Sequence, residues 1–263
     1  MTSKLKGWPT RVVVTLLYLF LLAPILMVVI ISFDAQSTMS FPPQGFTFQW
    51  YERLAQNAEF IQGFQVSAVV GAGVALLALL IGVPVAVALT RHDFRFRETM
   101  SGFFLSPLMV PAIVLGLALL LVLAPFKITG TYGGLIVAHL AITVPYVVRT
   151  TSMSLMTMNR SCEEAARTLG ASPWRTFTRV TLPLIAPGVL AGGVIAFLIS
   201  FDEAVISLFV VGPQATTLPV EIFHYVESRT DPQIAALSVV LIAISVLFMV
   251  IIERAAGLKK VLR

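Results

Sequence analysis

The feature that most constrains this chain is the length of its apolar runs. The first opens at Arg11 and holds about 22 residues to Phe33, more than the ~7–15 of a signal-peptide core and with no small-x-small cleavage site after it. A helix crossing a bilayer needs about 20 such residues. Five further runs follow, which predicts spans at 11–33, 64–89, 99–124, 132–148, 184–211 and 234–252. The expected fold class is an all-α integral membrane protein, one transmembrane domain over 1–263. With 57% hydrophobic and 12% charged residues, the chain carries about half the charge of an ordinary soluble protein. Its net charge of +5 is scattered between apolar runs. Nucleic-acid recognition would need it clustered on one face, so no nucleic-acid partner is expected.

The basic residues give the topology. With a cytoplasmic N-terminus, 15 of the 18 Lys and Arg residues fall in inner segments, leaving Arg53, Lys127 and Arg229 outside. That asymmetry matches the positive-inside rule and puts both termini in the cytoplasm. Between the second and third spans lies a short basic turn, Arg91 to Glu98 (RHDFRFRE). The first outer segment, 34–63, is long enough for a short interfacial helix, with Trp50 and Tyr51 as an aromatic belt. The second outer segment, 212–233, reads as a polar loop.

The stretch 161–183 (SCEEAARTLGASPWRTFTRVTLP) is neither apolar nor disordered. Ser161 and Glu164 have capping-box spacing. Cys162, Ala165, Ala166 and Leu169 make one helical stripe, and Gly170 supplies a left-handed stop. Ser172 and Pro173 restart a helix as N-cap and first residue. Trp174 and Phe177 then lie on one side, Arg175 and Arg179 face away, and Pro183 ends it. Each helix is about two turns, well short of the ~12–15 residues an isolated helix needs in water. The pair is suited to burying its stripe in a partner; packing on its own spans or on lipid is the alternative.

Two intramembrane features stand apart. Asp202 and Glu203 fall in the outer half of the fifth run, where a charge costs roughly 2.5–3.5 kcal/mol near mid-membrane and marks a partner or a water-filled path. On one helix their side chains point ~100° apart, so only one can face a given target. His139 reads as a hydrogen-bonded residue between helices rather than a ligand. No spacing of His, Cys or acids suggests a metal, and the single Cys162 allows no internal disulfide. An ATP-binding chain needs the phosphate loop G-x-x-x-x-G-K-[ST], and none occurs.

Glu164-Ala165-Ala166, Gly170 after three more residues, and Val180-Thr181-Leu182-Pro183 after nine more resemble the EAA loop (EAA-x3-G-x9-I-x-L-P) of permease subunits in bacterial ABC importers. Val180 replaces the usual isoleucine. The resemblance spans almost the whole chain. The WY of the first outer loop, RHDFRFR, FDEAVIS and LPVEIF...DPQIAALS make it most similar to the second permease of spermidine/putrescine-type importers.

The resemblance implies the type I importer permease fold, six spans with cytoplasmic coupling helices at 161–183, and no enzymatic activity of its own. Glu164, Ala165, Ala166, Gly170, Trp174 and Pro183 would couple to the ATPase. Asp202 and Glu203 would line the path of a small cation, with a polyamine as the expected substrate and an opine or amino-acid derivative, another amine or ferric iron as alternatives. The implied partners are a second permease in a heterodimer, two copies of a cytoplasmic ATPase, an extracytoplasmic binding protein and lipid. No cofactor is expected on this chain, ATP and magnesium belonging to the ATPase, and the expected location is the bacterial inner membrane. A rival reading, an intramembrane enzyme using Asp202 or Glu203, lacks the second intramembrane aspartate that an aspartyl protease needs.

Overall fold

The computed structural model describes residues 8–255; Lys4, Lys6, Lys259, Lys260 and Arg263 of the charge argument lie outside them. Among the described residues there are helices and two isolated bridges, but no strand. The helices are α1 (Trp8–Ile31), α2 (Gln49–Gln56), α3 (Ala58–Arg91), α4 (Arg97–Leu105), α5 (Ala112–Leu123), α6 (Tyr132–Thr157), α7 (Ser161–Thr168), α8 (Pro173–Thr176), α9 (Leu182–Asp202), α10 (Val205–Val210), α11 (Leu218–Ser228) and α12 (Gln233–Ala255).

Four helices are long and apolar enough to cross a membrane: α1 from Thr10, α3, α6 and a continuous helix from Pro173 to Asp202. A fifth crossing exists if α4 and α5 count as one, but the pair is bent through 109°. The span expected at 99–124 is therefore broken. Pro111 has no N–H, and it forces Val110 before it into extended backbone, φ −90° and ψ 131°. At ~1.5 Å per residue the twelve residues of α5 reach ~18 Å, short of a ~30 Å core. The fourth span runs on past residue 148 to Thr157. Arg149 does not end it: the helix continues for two more turns with the Arg149 side chain exposed.

The chain forms two compact units, one of residues 59–221 and one of the segments up to 58 and from 222. In the larger, α3 and α6 share two apolar clusters. One gathers Ala78, Ala86, Val147 and Leu155 with Ile185 and Ala196 of α9; the other gathers Val66, Val70, Val74 and Leu135 with Ile206 and Val210 of α10. Small residues permit these approaches. A Cβ on Gly82 would lie 2.7 Å from Val147 Cγ1, nearer than atoms can pack, so α3 meets α6 only because Gly82 has no side chain.

In the smaller unit, Asp34 is fully buried after α1. Its carboxylate accepts from the Gln36 N–H at 3.1 Å and from Ser40 Oγ at 2.9 Å, and the Gln36 bond in particular holds its pKa below the ordinary 3.8. The expected interfacial helix is α2, but Trp50 does not belong to a membrane belt. It is 1% exposed and donates Nε1–H to the Asp34 carbonyl at 2.6 Å, since a buried indole must satisfy its N–H. The expected polar loop 212–233 contains α11. Tyr225 on α11 donates to Asp231 at 2.8 Å, and burial, reinforced by that carboxylate, pushes its hydroxyl up to about 12.

Candidate functional site

The stretch 161–183 folds as a knob at the ends of α3 and α6. Its first helix starts at Ser161 as the spacing predicts, but no capping box forms: the N-cap is Arg160, and no side chain bonds from it. Asn159 serves instead, its Oδ1 accepting the Ser161 N–H at 3.0 Å. An asparagine two residues before a free N–H closes that turn with its own side chain. At the other end Gly170 adopts φ +86°. The Gly170 N–H bonds to Arg167 O and the Ala171 N–H to Ala166 O, the paired bonds of a Schellman stop.

The second helix begins as predicted. Ser172 Oγ accepts the Arg175 N–H at 3.4 Å, with Pro173 following. It does not end at Pro183. After one turn the backbone widens into a π-helical segment, Phe177–Thr181, and passes directly into α9. The wider turn shifts the hydrogen-bond register just before the proline, where a regular α-helix would clash with the carbonyl four residues back. The knob is thus continuous with a span.

The stripe is uncovered. Cys162 and Ala165 are exposed, Ala166 is half-buried, Leu169 is 88% exposed and Trp174 71% exposed, its ring 6.0 Å from that of Phe177. Glu164 is exposed, and Pro183 is exposed on the helix joining knob to span.

The residue that anchors the knob is one that motif spacing passes over. Glu163 is buried, and its Oε2 lies 3.0 Å from Arg91 Nε at the end of α3 while its Oε1 accepts from Thr181 Oγ1 at 2.7 Å. Arg91 also donates to the Leu155 carbonyl of α6 at 3.0 Å, and Arg160 donates to the Thr90 carbonyl at 3.0 Å. These arginines satisfy carbonyls that helix ends leave free. The available signal was angular: Glu163 sits ~100° around the helix from Cys162, off the outward stripe.

The acidic pair is not on one helix. The expected span 184–211 breaks at Glu203, whose ψ is 106°, and restarts as α10. Glu203 Oε1 accepts the Ile206 N–H at 2.9 Å, capping α10 with its own carboxylate. Helical geometry therefore does not hold the two side chains ~100° apart. Asp202 ends α9 with its side chain exposed, next to the packed rings of Phe64, Phe197 and Phe201.

Below the break, His139 is fully buried and joins both halves, Nδ1 to Ser200 Oγ at 2.8 Å and Nε2 to Ser207 Oγ at 3.0 Å. Ser207 gives its one hydroxyl proton to Glu203 O at 2.6 Å. In the neutral ring Nε2 therefore donates to Ser207, and Nδ1 accepts from Ser200. His139 is a hydrogen-bonded residue between helices, as expected from the sequence. Among the described residues no three of His, Cys, Asp and Glu come together as a metal site would require.

Residues 78–258 match the family described as binding-protein-dependent transport system inner membrane component. The chain belongs to this family. The permease is 34% identical to the spermidine/putrescine transport system permease protein PotC of Escherichia coli (strain K12), over 90% of this chain and 89% of that one. It is 35% identical to the putrescine transport system permease protein PotI of the same organism, over 89% and 86%. In fold it is similar to a chain of a bacterial ABC transporter involved in the import of the acidic polysaccharide alginate, with a TM-score of 0.70 at 15% identity and 98% of each chain covered. It is a multi-pass inner membrane component of a binding-protein-dependent transport system, and its role is transport rather than catalysis.

Proposed function

We propose that this permease carries a polyamine, spermidine or putrescine, across the bacterial inner membrane as one half of a heterodimeric pore. Relatedness to two polyamine permeases over nearly the full length of each chain carries the substrate class. One transmembrane domain makes six crossings, with α12 as the sixth and both termini cytoplasmic.

The uncovered knob supports docking of the ATPase. A stripe that its own chain leaves exposed is apolar surface available to a partner groove. Glu164, Ala165, Ala166, Gly170 and Trp174 form that face, and Pro183 lies on the continuous helix that passes ATPase movement into α9. Two ATPase copies bind ATP and magnesium, one knob per permease, and an extracytoplasmic binding protein delivers the substrate. This chain holds no cofactor. At the α9–α10 break, exposed Asp202 attracts the ammonium groups in the pathway, while Glu203 lines it by holding the break open.

The test is ATP hydrolysis by the reconstituted complex, with its binding protein loaded in turn with spermidine, putrescine, other amines and ferric iron. Stimulation by polyamines, weakened by Asp202→Asn, is expected. Stimulation by another solute alone overturns the substrate, and unchanged polyamine transport in Asp202→Asn removes that residue from the path.

A further inference from the structure

Beneath the basic turn, the ends of α3 and α6 and the start of α4 enclose an open cavity of about 1100 Å³. Arg91, Arg95, Arg97, Arg149 and Arg160 line it, against Asp93 and Glu98. With Glu163, the partner of Arg91 just outside the wall, counted in, positive charges exceed negative ones by two. Two of the arginines are ion-paired, Arg91 to Glu163 and Arg97 to Asp93, each at 3.0 Å, and Arg160 gives one N–H to the Thr90 carbonyl. Arg95, Arg149 and Arg160 form no ion pair among the described residues.

A cavity with three guanidiniums outside any ion pair and one carboxylate, Glu98, against them selects an anion, and planar guanidiniums favour phosphate oxygens. The same wall also holds Met153 and Met156, 59% and 75% exposed, and Phe94, 40% exposed. On α4 beside it, Met100 and Phe103 are 40% and 68% exposed. Charge surrounded by exposed hydrocarbon, at the level where three apolar helices give way to a polar turn, matches a molecule that carries a phosphate and acyl chains together.

We infer that this cavity is a binding site for the headgroup of an anionic glycerophospholipid of the inner leaflet. Arg95, Arg149 and Arg160 hold the phosphate, and the acyl chains run past Met153, Met156 and Phe103. The inference rests on the cytoplasmic placement of the basic turn proposed above. The same lipid would brace the turn that carries Arg91, and through Glu163 the knob.

The test uses the full complex, stripped of lipid in detergent and titrated with phosphatidylglycerol, cardiolipin or phosphatidylcholine while bound lipid is counted by native mass spectrometry. Anionic lipid should bind at least about tenfold tighter than phosphatidylcholine. Arg95→Gln and Arg149→Gln should each weaken it about fivefold, the equivalent of ~1 kcal/mol per basic residue at an anionic surface. Glu98→Gln, which removes a repelling charge, should tighten it.

Equal binding of both lipid classes, or no response to any of the three variants, overturns the site. Displacement of the lipid by millimolar inorganic phosphate makes a free anion the ligand and overturns the lipid assignment. Loss of ATPase co-purification in Arg95→Gln with lipid retention unchanged makes the cavity a subunit contact instead. Orientation is read separately, with Arg95→Cys in a Cys162→Ser chain. Labelling by an impermeant maleimide in intact spheroplasts would refute the cytoplasmic placement, whereas a protected cysteine with no lipid preference refutes the cavity alone.

Discussion

Glu163→Gln isolates the link between knob and spans. The side chains of Arg91 and Glu163 are 11% and 12% exposed, and their charged atoms are 3.0 Å apart. Removing one partner of a fully buried pair costs ~3–5 kcal/mol, because the other charge is left without compensation. An exposed pair contributes ~0–1 kcal/mol. At this burial roughly 2 kcal/mol is expected, between those limits. Glutamine keeps an oxygen for the Thr181 hydroxyl, which lies 2.7 Å from Glu163 Oε1, so the loss is that of the charge. The eight residues of α7 have no stability of their own, and the whole cost falls on local opening. Amide exchange across 161–171 should accelerate roughly 30-fold, at ~1.4 kcal/mol per decade. Hydrogen-exchange mass spectrometry of the purified complex reads this directly, with α3 as internal reference. The double variant Arg91→Gln/Glu163→Gln should exchange more slowly than either single one, since no buried charge is left alone. Exchange in Glu163→Gln within about threefold of wild type, under ~0.7 kcal/mol, or single effects that simply add in the double variant, would refute the anchor.

Gly170 has φ +86° and nothing within 4 Å of the place a Cβ would take, so substitution there meets a backbone penalty and no clash. Gly170→Ala should cost roughly 1–2 kcal/mol at the helix stop and reduce the coupling of ATP hydrolysis to uptake, while Gly170→Asn, which tolerates the left-handed region, should retain most of it. His139→Leu removes the Ser200 hydroxyl's bond and one of the two made by Ser207. At ~1–3 kcal/mol per buried polar group left unsatisfied, the thermal midpoint of the detergent-solubilised chain should fall clearly, and a midpoint unchanged from wild type would deny the staple. Tyr225, with its hydroxyl raised to about 12, should contribute stability that is present in full below pH 10 and lost as pH rises through about 12. Its tyrosinate absorbance, taken as wild type minus Tyr225→Phe, should appear near pH 12 rather than near 10.

The sequence by itself determined the class of molecule, because a bilayer demands long unbroken apolar runs and soluble chains do not contain them. It also determined the knob's outline: the left-handed Gly170, the Ser172–Pro173 restart and the apolar stripe are each properties of a few adjacent residues, while the outward direction of the stripe was left to the packing. Only the tertiary structure decided how those pieces join. Pro183 looked like a stop, yet the widened turn of Phe177–Thr181 carries the helix through it into α9. Asp202 and Glu203 looked like neighbours on one helix, and Glu203 instead ends that helix and caps the next. Arg91 and Glu163 are 72 positions apart in the chain, and His139 is 61 and 68 positions from Ser200 and Ser207. A charge reveals in sequence that it needs a partner, but burial chooses the partner, and burial is set by how α3, α6 and α9 pack around their small residues.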